Sequence, residues 1–363
     1  MSLVLEGFGT ALPDHRFTQV ELAELHAGFC KLDEERGRTL AALYRRSGVK
    51  TRGSVVLEVA DGALAARQSF YPPARDAEDR GPPTADRMRA YAQAAPRLAT
   101  TASALALDSA ALAPGSISHL VTVSCTGFVA PGVDAAIIES LGLPRTTQRT
   151  HIGFMGCHGA LNALRVARSF VGADPGHVVL VCSVELCTLH FAYGWDPDMM
   201  VANALFADGA AAVVCRSANG HGDAWRVAAT GTLLVPESGG DMSWSIGDHG
   251  FRMTLSARVP DLIEHRLRDW MTDWLVGQGL ALDQVATWAV HPGGPRILGA
   301  VERSLGLARS ESDVSRDVLS EHGNMSSATI LFILDRLKRR DAPRPCVALA
   351  FGPGLVVEAL LIR

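Results

Sequence analysis

The chain has no surplus of positive charge, no paired-cysteine motif, no long apolar run and no internal repeat. Each absence narrows what it can be. Lys and Arg number 34 against 38 Asp and Glu, a formal net charge of −4, so nothing argues for a nucleic-acid or anionic-membrane surface. The seven cysteines (30, 125, 157, 182, 187, 215 and 346) are odd in number and scattered, with no C-x-x-C spacing. That is the usage of a reduced compartment, and it speaks against a disulfide framework or a zinc site. The opening MSLVLEGFGTALPDHRF has neither a basic start nor a long apolar run, so no signal peptide is expected. No apolar stretch reaches membrane-spanning length free of charges or turn residues, and the expected compartment is the cytoplasm. What remains, at 363 residues, 48% hydrophobic and 20% charged, is a soluble α/β protein long enough for two core layers or two fused halves.

Residues 3–10 read as an opening strand. Thr18 is placed to cap a helix over 19–25, with Glu21 completing a capping box. Residues 33–46 look helical. Residues 72–86, PPARDAEDRGPPTAD, are a Pro-rich loop and the one linker-like stretch. A long helix is expected over about 85–105, kinked or broken at Pro96. Residues 119–126 read as a strand and 133–141 as a helix. Residues 176–183 and 210–215 are apolar without alternation, as in strands buried on both faces. Strands over 225–234, 287–290, 346–351 and 355–362 and helices over 259–277, 295–305 and 326–339 complete the chain. Strands alternating with helices predict a mostly parallel or mixed sheet covered by helices.

One stretch organises the rest, GFMGCHGALN at 153–162. A small-residue turn surrounds Cys157. A helical pattern follows, with Leu161, Leu164, Ala167 and Phe170 on one side and Arg165 and Arg168 off it. That layout puts the sulfur at or near a helix N-terminus. Unpaired N–H groups and the helix dipole there favour a thiolate, so a lowered thiol pKa and a good nucleophile are expected. Gly156 and Gly159 are expected to leave room for a substrate carbonyl.

A lone cysteine of this kind more often packs a helix against a strand. Three turn-rich islands change the balance. His291 opens His-Pro-Gly-Gly-Pro directly after an apolar strand, in a loop position where function concentrates. Asn324 lies in Gly-Asn-Met-Ser-Ser before a helix, where alone it reads as an N-cap. Phe351-Gly-Pro-Gly354 alone reads as a tight turn. Together cysteine, histidine and asparagine make a chemical set. A histidine beside a thiolate stabilises it as an ion pair. N–H groups of His291 and Asn324 make an oxyanion hole for a thioester carbonyl, or for the enolate left when a malonyl group loses carbon dioxide.

Cys157, HPGGP, GNMSSA and FGPGL together resemble the type III polyketide synthases, the chalcone and stilbene synthase-like branch of the thiolase-fold ketosynthases. GTALP, PPTADRMRAY, the APG at 130–132 and ALFADGAAAVV at 204–214 also resemble family segments in family order, so the likeness spans nearly the whole chain. It implies an α/β, thiolase-like αβαβα fold of two similar halves, 1–220 carrying the nucleophilic Cys157 and 221–363 carrying His291 and Asn324. It implies a homodimer, an acyl-CoA starter and malonyl-CoA as substrates, and no metal or redox cofactor. An acyl carrier protein is an alternative donor. Cys157 matches the nucleophile, and His291 with Asn324 matches the pair that drives decarboxylation and condensation. Phe206 matches an aromatic gatekeeper. Met253 stands where the second gatekeeper is usually Phe, and a flexible thioether changes the gate. Cys125, Thr126, Cys187, His190 and Ser326 fall at pocket-lining positions, and Gly352, Pro353 and Gly354 at the loop that shapes the cyclisation cavity. Lys50, Arg52 and Arg296 fall where coenzyme A phosphates want cations. His158 departs from the family pattern. It either packs beneath the loop or alters the electrostatics beside the thiolate.

The implied reaction is acyl loading, malonyl decarboxylation and condensation, with cyclisation to a pyrone, resorcinol or phloroglucinol type of product. A single-condensation ketosynthase of the fatty-acid-initiating kind would use the same three residues. A catalytically silent ketosynthase-like partner protein is a further reading, and the intact set argues against it. An HMG-CoA synthase-like enzyme needs a glutamate general acid, and no glutamate stands out.

Overall fold

A computed structural model describes residues 3–218 and 224–363. The chain begins with β1 (Leu3–Ala11), β2 (Arg16–Thr18), α1 (Gln19–Phe29), α2 (Glu34–Arg46), β3 (Thr51–Gly53) and α3 (Thr84–Ser109). There follow β4 (His119–Ser124), α4 (Val133–Leu141), β5 (Gln148–Gly153), α5 (Gly159–Ala173), β6 (Val179–Leu186), α6 (Pro197–Leu205) and β7 (Asp208–Ser217). The later part has β8 (Arg226–Leu234), β9 (Met242–Gly247), β10 (Gly250–Leu255), α7 (Val259–Val276), β11 (Thr287–Val290) and α8 (Pro295–Leu305). It closes with α9 (Asp313–His322), α10 (Ala328–Arg339), β12 (Cys346–Gly352) and β13 (Val356–Ile362).

Nine strands form one sheet in the order β11-β12-β13-β8-β1-β7-β6-β4-β5. β4 pairs parallel with β5 and β6, and β11 with β12. The remaining pairs are antiparallel, so the sheet is mixed. The two parts of the sheet meet where Leu3 and Val4 pair with Val227 and Arg226. The boundary expected at 220/221 falls outside the described residues.

Side chains alternate along each strand, and the two faces serve different cores. In β12, Cys346, Ala348 and Ala350 join one core, while Val347, Leu349 and Phe351 join another. The first core surrounds α5 and α10 and draws residues from both parts of the sheet, Val121 and Val181 on one side and Ala289 and Leu360 on the other. α3 and α4 cover the outer face of β4, β6 and β7. α7 and α8 cover the outer face of β8 and β11 to β13. Five layers result, helix–sheet–helix–sheet–helix, with α5 and α10 innermost. The sequence of α10 matches that position. Ile330, Leu331, Phe332, Ile333, Leu334 and Leu337 are all buried, as a helix packed on most sides requires. At roughly 1.5–3 kcal/mol per buried large apolar side chain, these six contribute on the order of 10 kcal/mol, and an aspartate at Leu331 would break the layer.

Thr18 caps α1 with Glu21 in a full capping box, as expected. α3 runs unbroken through Pro96; its long contact with β1 and β7 outweighs one lost backbone bond. The pattern reading missed β5, α6, α9, the β9–β10 hairpin and the short β2–β3 pair. β5 (QRTHIG) is a polar, largely exposed edge strand, and the hairpin is half exposed, so neither shows a buried period. Among the described residues no helix is long and apolar enough to cross a membrane.

Candidate active site

β5 ends at Gly153, paired with Ser124. The chain then passes through Phe154 and Gly156, both with left-handed φ of 58° and 72°, makes one 3-10 turn over Gly156–His158 and enters α5 at Gly159. Cys157 therefore sits just ahead of the α5 N-terminus, as the sequence indicated, and is half-buried. Burial is the dominant influence on its thiol and pushes the pKa up to about 12, with the negative charge of Glu185 acting in the same direction. Hydrogen bonds from Ser326, Asn324 and the Cys157 backbone pull it back. The lowered pKa expected from the helix start is thus corrected for the free site, because dehydration of a thiolate outweighs the dipole. The space at the two glycines is also used differently. A Cβ at Gly156 would lie 2.3 Å from Pro353 Cδ, and one at Gly159 would lie 2.8 Å from Val123 Cγ1. On the Cβ side both glycines meet the chain itself, while the backbone of Gly156 lines the cavity at Cys157.

Asn324 does not cap α10, whose first residue is Ala328 and whose N-cap is Ser327. It forms a bridge beside Phe206: Asn324 N–H donates to Leu205 O at 2.9 Å, and Ala207 N–H donates to Asn324 O at 2.9 Å. Its side-chain Oδ1 accepts the Ser326 N–H at 2.8 Å. That bond orients the amide and leaves Nδ2 as the donor to the Cys157 sulfur. His291 follows β11, its own N–H bound to Leu349 O at 2.7 Å. The imidazole is 1% exposed, and neither ring nitrogen has a partner among the described residues. Burial, with the nearby charge of His158, drives its pKa down to about 3. A buried imidazole with two unpaired nitrogens calls for a functional reason.

An apolar-lined cavity opens at Cys157. Cys125, Thr126, Cys187, His190, Phe206, Met253, Ser326, Gly352 and Pro353 line it, and Arg52 does too. Gly354 does not; it turns away, its N–H donating to Met242 O at 2.7 Å. Met253 faces Trp244 across the β9–β10 hairpin, and Trp244 Nε1 donates to Cys125 O at 2.7 Å. Trp244 was missed because its strand shows no buried period. His190 is held as the neutral Nε2–H form: Nε2 donates to Thr126 O at 2.6 Å and Nδ1 accepts the Phe251 N–H at 3.0 Å. Burial takes its pKa down to about 3.

Glu185 was missed altogether. It lies in the wholly buried β6 and accepts from Cys125 N–H at 3.0 Å, Thr126 Oγ1 at 2.7 Å and the Ser327 hydroxyl. Nothing in a run such as VCSVEL marks a buried carboxylate. The three candidate cations separate. Lys50 and Arg296 are exposed. Arg52 is 1% exposed, stacked 5.3 Å from the Phe17 ring, and donates to Asn203 O, Phe206 O and Gln19 Oε1 at 2.6–2.8 Å. It braces the wall and is not free to meet a phosphate. His158 turns inward. Asn162 Nδ2 donates to Glu358 Oε1 at 2.9 Å, so Asn162 Oδ1 faces the 2.7 Å bond to His158 Nδ1, which carries the proton. Glu358 is balanced by Arg165 and Thr232 at 2.8 and 2.9 Å. A Cβ at Gly352 would lie 2.3 Å from the His158 ring, so His158 packs directly beneath the 352–354 loop.

Residues 2–219 match the N-terminal domain of the chalcone and stilbene synthases, and residues 226–363 match their C-terminal domain. The chain belongs to the chalcone and stilbene synthase family. It is a type III polyketide synthase, an enzyme of the acyltransferase kind, and its five layers are the thiolase-like fold. The 1,3,6,8-tetrahydroxynaphthalene synthase of Streptomyces peucetius subsp. caesius is 35% identical over 360 residues, 98% of this chain and 91% of that one. The alpha-pyrone synthesis polyketide synthase-like Pks18 of Mycobacterium tuberculosis is 32% identical over 371 residues, covering 99% and 90%. The crystal structure of PKS-I from the brown alga Ectocarpus siliculosus superposes with a TM-score of 0.93 at 30% identity, covering 100% and 98%. Type III polyketide synthases as a family use acyl-CoA and malonyl-CoA and form dimers.

Proposed function

We propose that this synthase loads an acyl-CoA starter on Cys157, decarboxylates malonyl-CoA and extends the chain by Claisen condensation. Cyclisation then gives a pyrone, resorcinol or phloroglucinol type of product. The observation that carries the reading is that Cys157, hydrogen-bonded by the Asn324 amide and Ser326, opens on a mostly apolar cavity. His291 takes the Cys157 proton as the sulfur attacks the thioester carbonyl and coenzyme A leaves. A thiolate and an imidazolium formed together offset one another's burial. In malonyl-CoA the bond to the carboxylate breaks and carbon dioxide departs. The electron pair enters an enolate whose oxygen is held by Asn324 Nδ2 and His291. The enolate carbon attacks the Cys157 thioester, a C–C bond forms, and the thiolate is regenerated. Phe206 and Met253 serve as the gate. Lys50 and Arg296 are assigned to the coenzyme A phosphates, without Arg52. The working unit is a homodimer, as in the family.

Intact-protein mass spectrometry with a panel of acyl-CoAs tests the reading, with Cys157→Ala alongside, followed by malonyl-CoA and product analysis. The expected result is a covalent acyl adduct lost in the variant and extended products from the native enzyme. Turnover retained by Cys157→Ala refutes the assignment, and strictly one extension favours the single-condensation enzyme.

A further inference from the structure

The cavity does not end at the reacting sulfur. At Thr188 its wall passes to residues 54–71: Ser54 Oγ lies 2.8 Å from Thr188 Oγ1, and Tyr71 OH donates to Thr188 O at 2.9 Å. From there an arm runs between α1 and that segment, lined by Leu22, Leu25, Leu57 and Leu64 with Phe17 and Met199. The exposed cations Lys50 and Arg296 do not line it.

Polar side chains do occur along the arm, but the wall engages them. Gln68 is closed on Tyr71 by two bonds, Nε2 to Tyr71 O at 2.8 Å and Tyr71 N–H to Oε1 at 2.7 Å. Asn203 is closed on Ala192 by bonds of 2.8 and 3.1 Å. Thr188 Oγ1 donates to Asp208 at 2.5 Å. Arg52 makes the three bonds described above, and its Nε, though without a partner, is covered by protein. The arm therefore offers a ligand hydrocarbon contact and little else. Each starter hydroxyl or carboxyl placed there would lose its water without replacement, weakening binding roughly 5- to 150-fold. Each methylene placed there would gain up to about fourfold.

We infer that this arm seats the hydrocarbon tail of the starter, and that the preferred starter is the thioester of an unbranched fatty acid of medium to long chain. The inference rests on Cys157 being the acyl acceptor proposed above. In loading, the Cys157 S–C bond forms and the coenzyme A C–S bond breaks. The thiol proton leaves with coenzyme A. The acyl carbonyl stays at Cys157 beside Asn324, and the tail lies past Cys187. The Phe206 and Met253 side then remains open to malonyl-CoA.

The test measures kcat/KM and covalent loading of the native chain with saturated acyl-CoAs from acetyl to palmitoyl, kept below their micelle concentrations, and with p-coumaroyl-CoA. Leu25→Trp and Leu64→Trp fill the arm from two different walls. The native enzyme is expected to gain up to about fourfold per added methylene and to peak at about eight carbons or longer. Its best fatty acyl substrate should outpace p-coumaroyl-CoA at least about tenfold. Each tryptophan should lower the long-to-short ratio about tenfold or more. If one variant fails to fold by circular dichroism, the other and the native length profile decide. A native preference for acetyl-, malonyl- or p-coumaroyl-CoA overturns the arm assignment and leaves the proposed function standing, provided Cys157-dependent adducts form. So does a length profile unmoved by either plug. No Cys157-dependent adduct from any ester overturns both.

Discussion

Replacing Asn324 by alanine separates what this side chain does for the fold from what it does for chemistry. Its Oδ1 accepts the Ser326 N–H at 2.8 Å, and Ser326 is buried in a left-handed conformation with φ of 45°. Removing the acceptor leaves a buried N–H unpaired, at a cost of about 1–3 kcal/mol of stability. Its Nδ2 is the donor aimed at the reacting sulfur. Losing an oxyanion donor should slow malonyl decarboxylation by about 10²–10³, or roughly 2.7–4 kcal/mol of barrier. Ser326→Ala is the control. It keeps the Ser326 N–H bond and removes only the hydroxyl that reaches Cys157 and lies 3.1 Å from Cys125 Sγ. One neutral hydrogen bond is worth about 0.5–1.5 kcal/mol, so decarboxylation should fall no more than about tenfold. Acetyl-CoA release from malonyl-CoA without starter gives the rate, and urea unfolding gives the stability. If Asn324→Ala decarboxylates within about fivefold of the native enzyme, or if both variants are equally impaired, the amide is not the oxyanion donor and only the loop position matters.

Three further outcomes are expected. Burial keeps Cys157 a thiol and His291 a neutral imidazole in the free enzyme, so iodoacetamide inactivation at Cys157 should climb with pH between about 6 and 8; a rate level over that range would show a standing ion pair and contradict the dehydrated thiol. Gly352→Ala should cost about 1–3 kcal/mol and slow acyl loading, since its Cβ meets a His158 ring that Asn162 holds in place; an unchanged urea midpoint with unchanged loading would contradict the packing. His26, His190 and His291 have pKa values of about 4, 3 and 3 in the fold. The unfolded chain therefore binds more protons, and stability is full above about pH 6.5 and falls below it. At pH 5 each costs about 2 kcal/mol, while Asp208, raised to about 6, offsets about 1 kcal/mol; unfolding free energies equal at pH 7.5 and 5 would show that these imidazoles are not held neutral.

Much of the architecture was legible in local pattern. The apolar runs of β6 and β7, the Thr18–Glu21 box and helices α7, α8 and α10 occur where periodicity and capping residues place them. Where an element is polar and supported only by distant partners, as β5 and the β9–β10 hairpin are, local pattern carried no signal. The hairpin mattered for the site, because it brings Trp244 against Cys125 and sets Met253 opposite Trp244.

The sequence by itself determined the inventory of reacting groups and the local geometry around them: a cysteine at a turn before a helix, a histidine after a strand, an asparagine and a glycine-rich loop. These are properties of short segments, dictated by turn residues and by the period of apolar side chains. Only the tertiary structure decided their states and surroundings. It buried Cys157 and His291 deeply enough to oppose their charges. It closed Arg52 into the wall, placed Glu185 behind the site, and filled the space at Gly156 with Pro353. It also opened the arm between α1 and residues 54–71, which no local pattern announces. Desolvation, packing and the engagement of polar groups are set by what lies across the fold, and those neighbours are far apart in the chain.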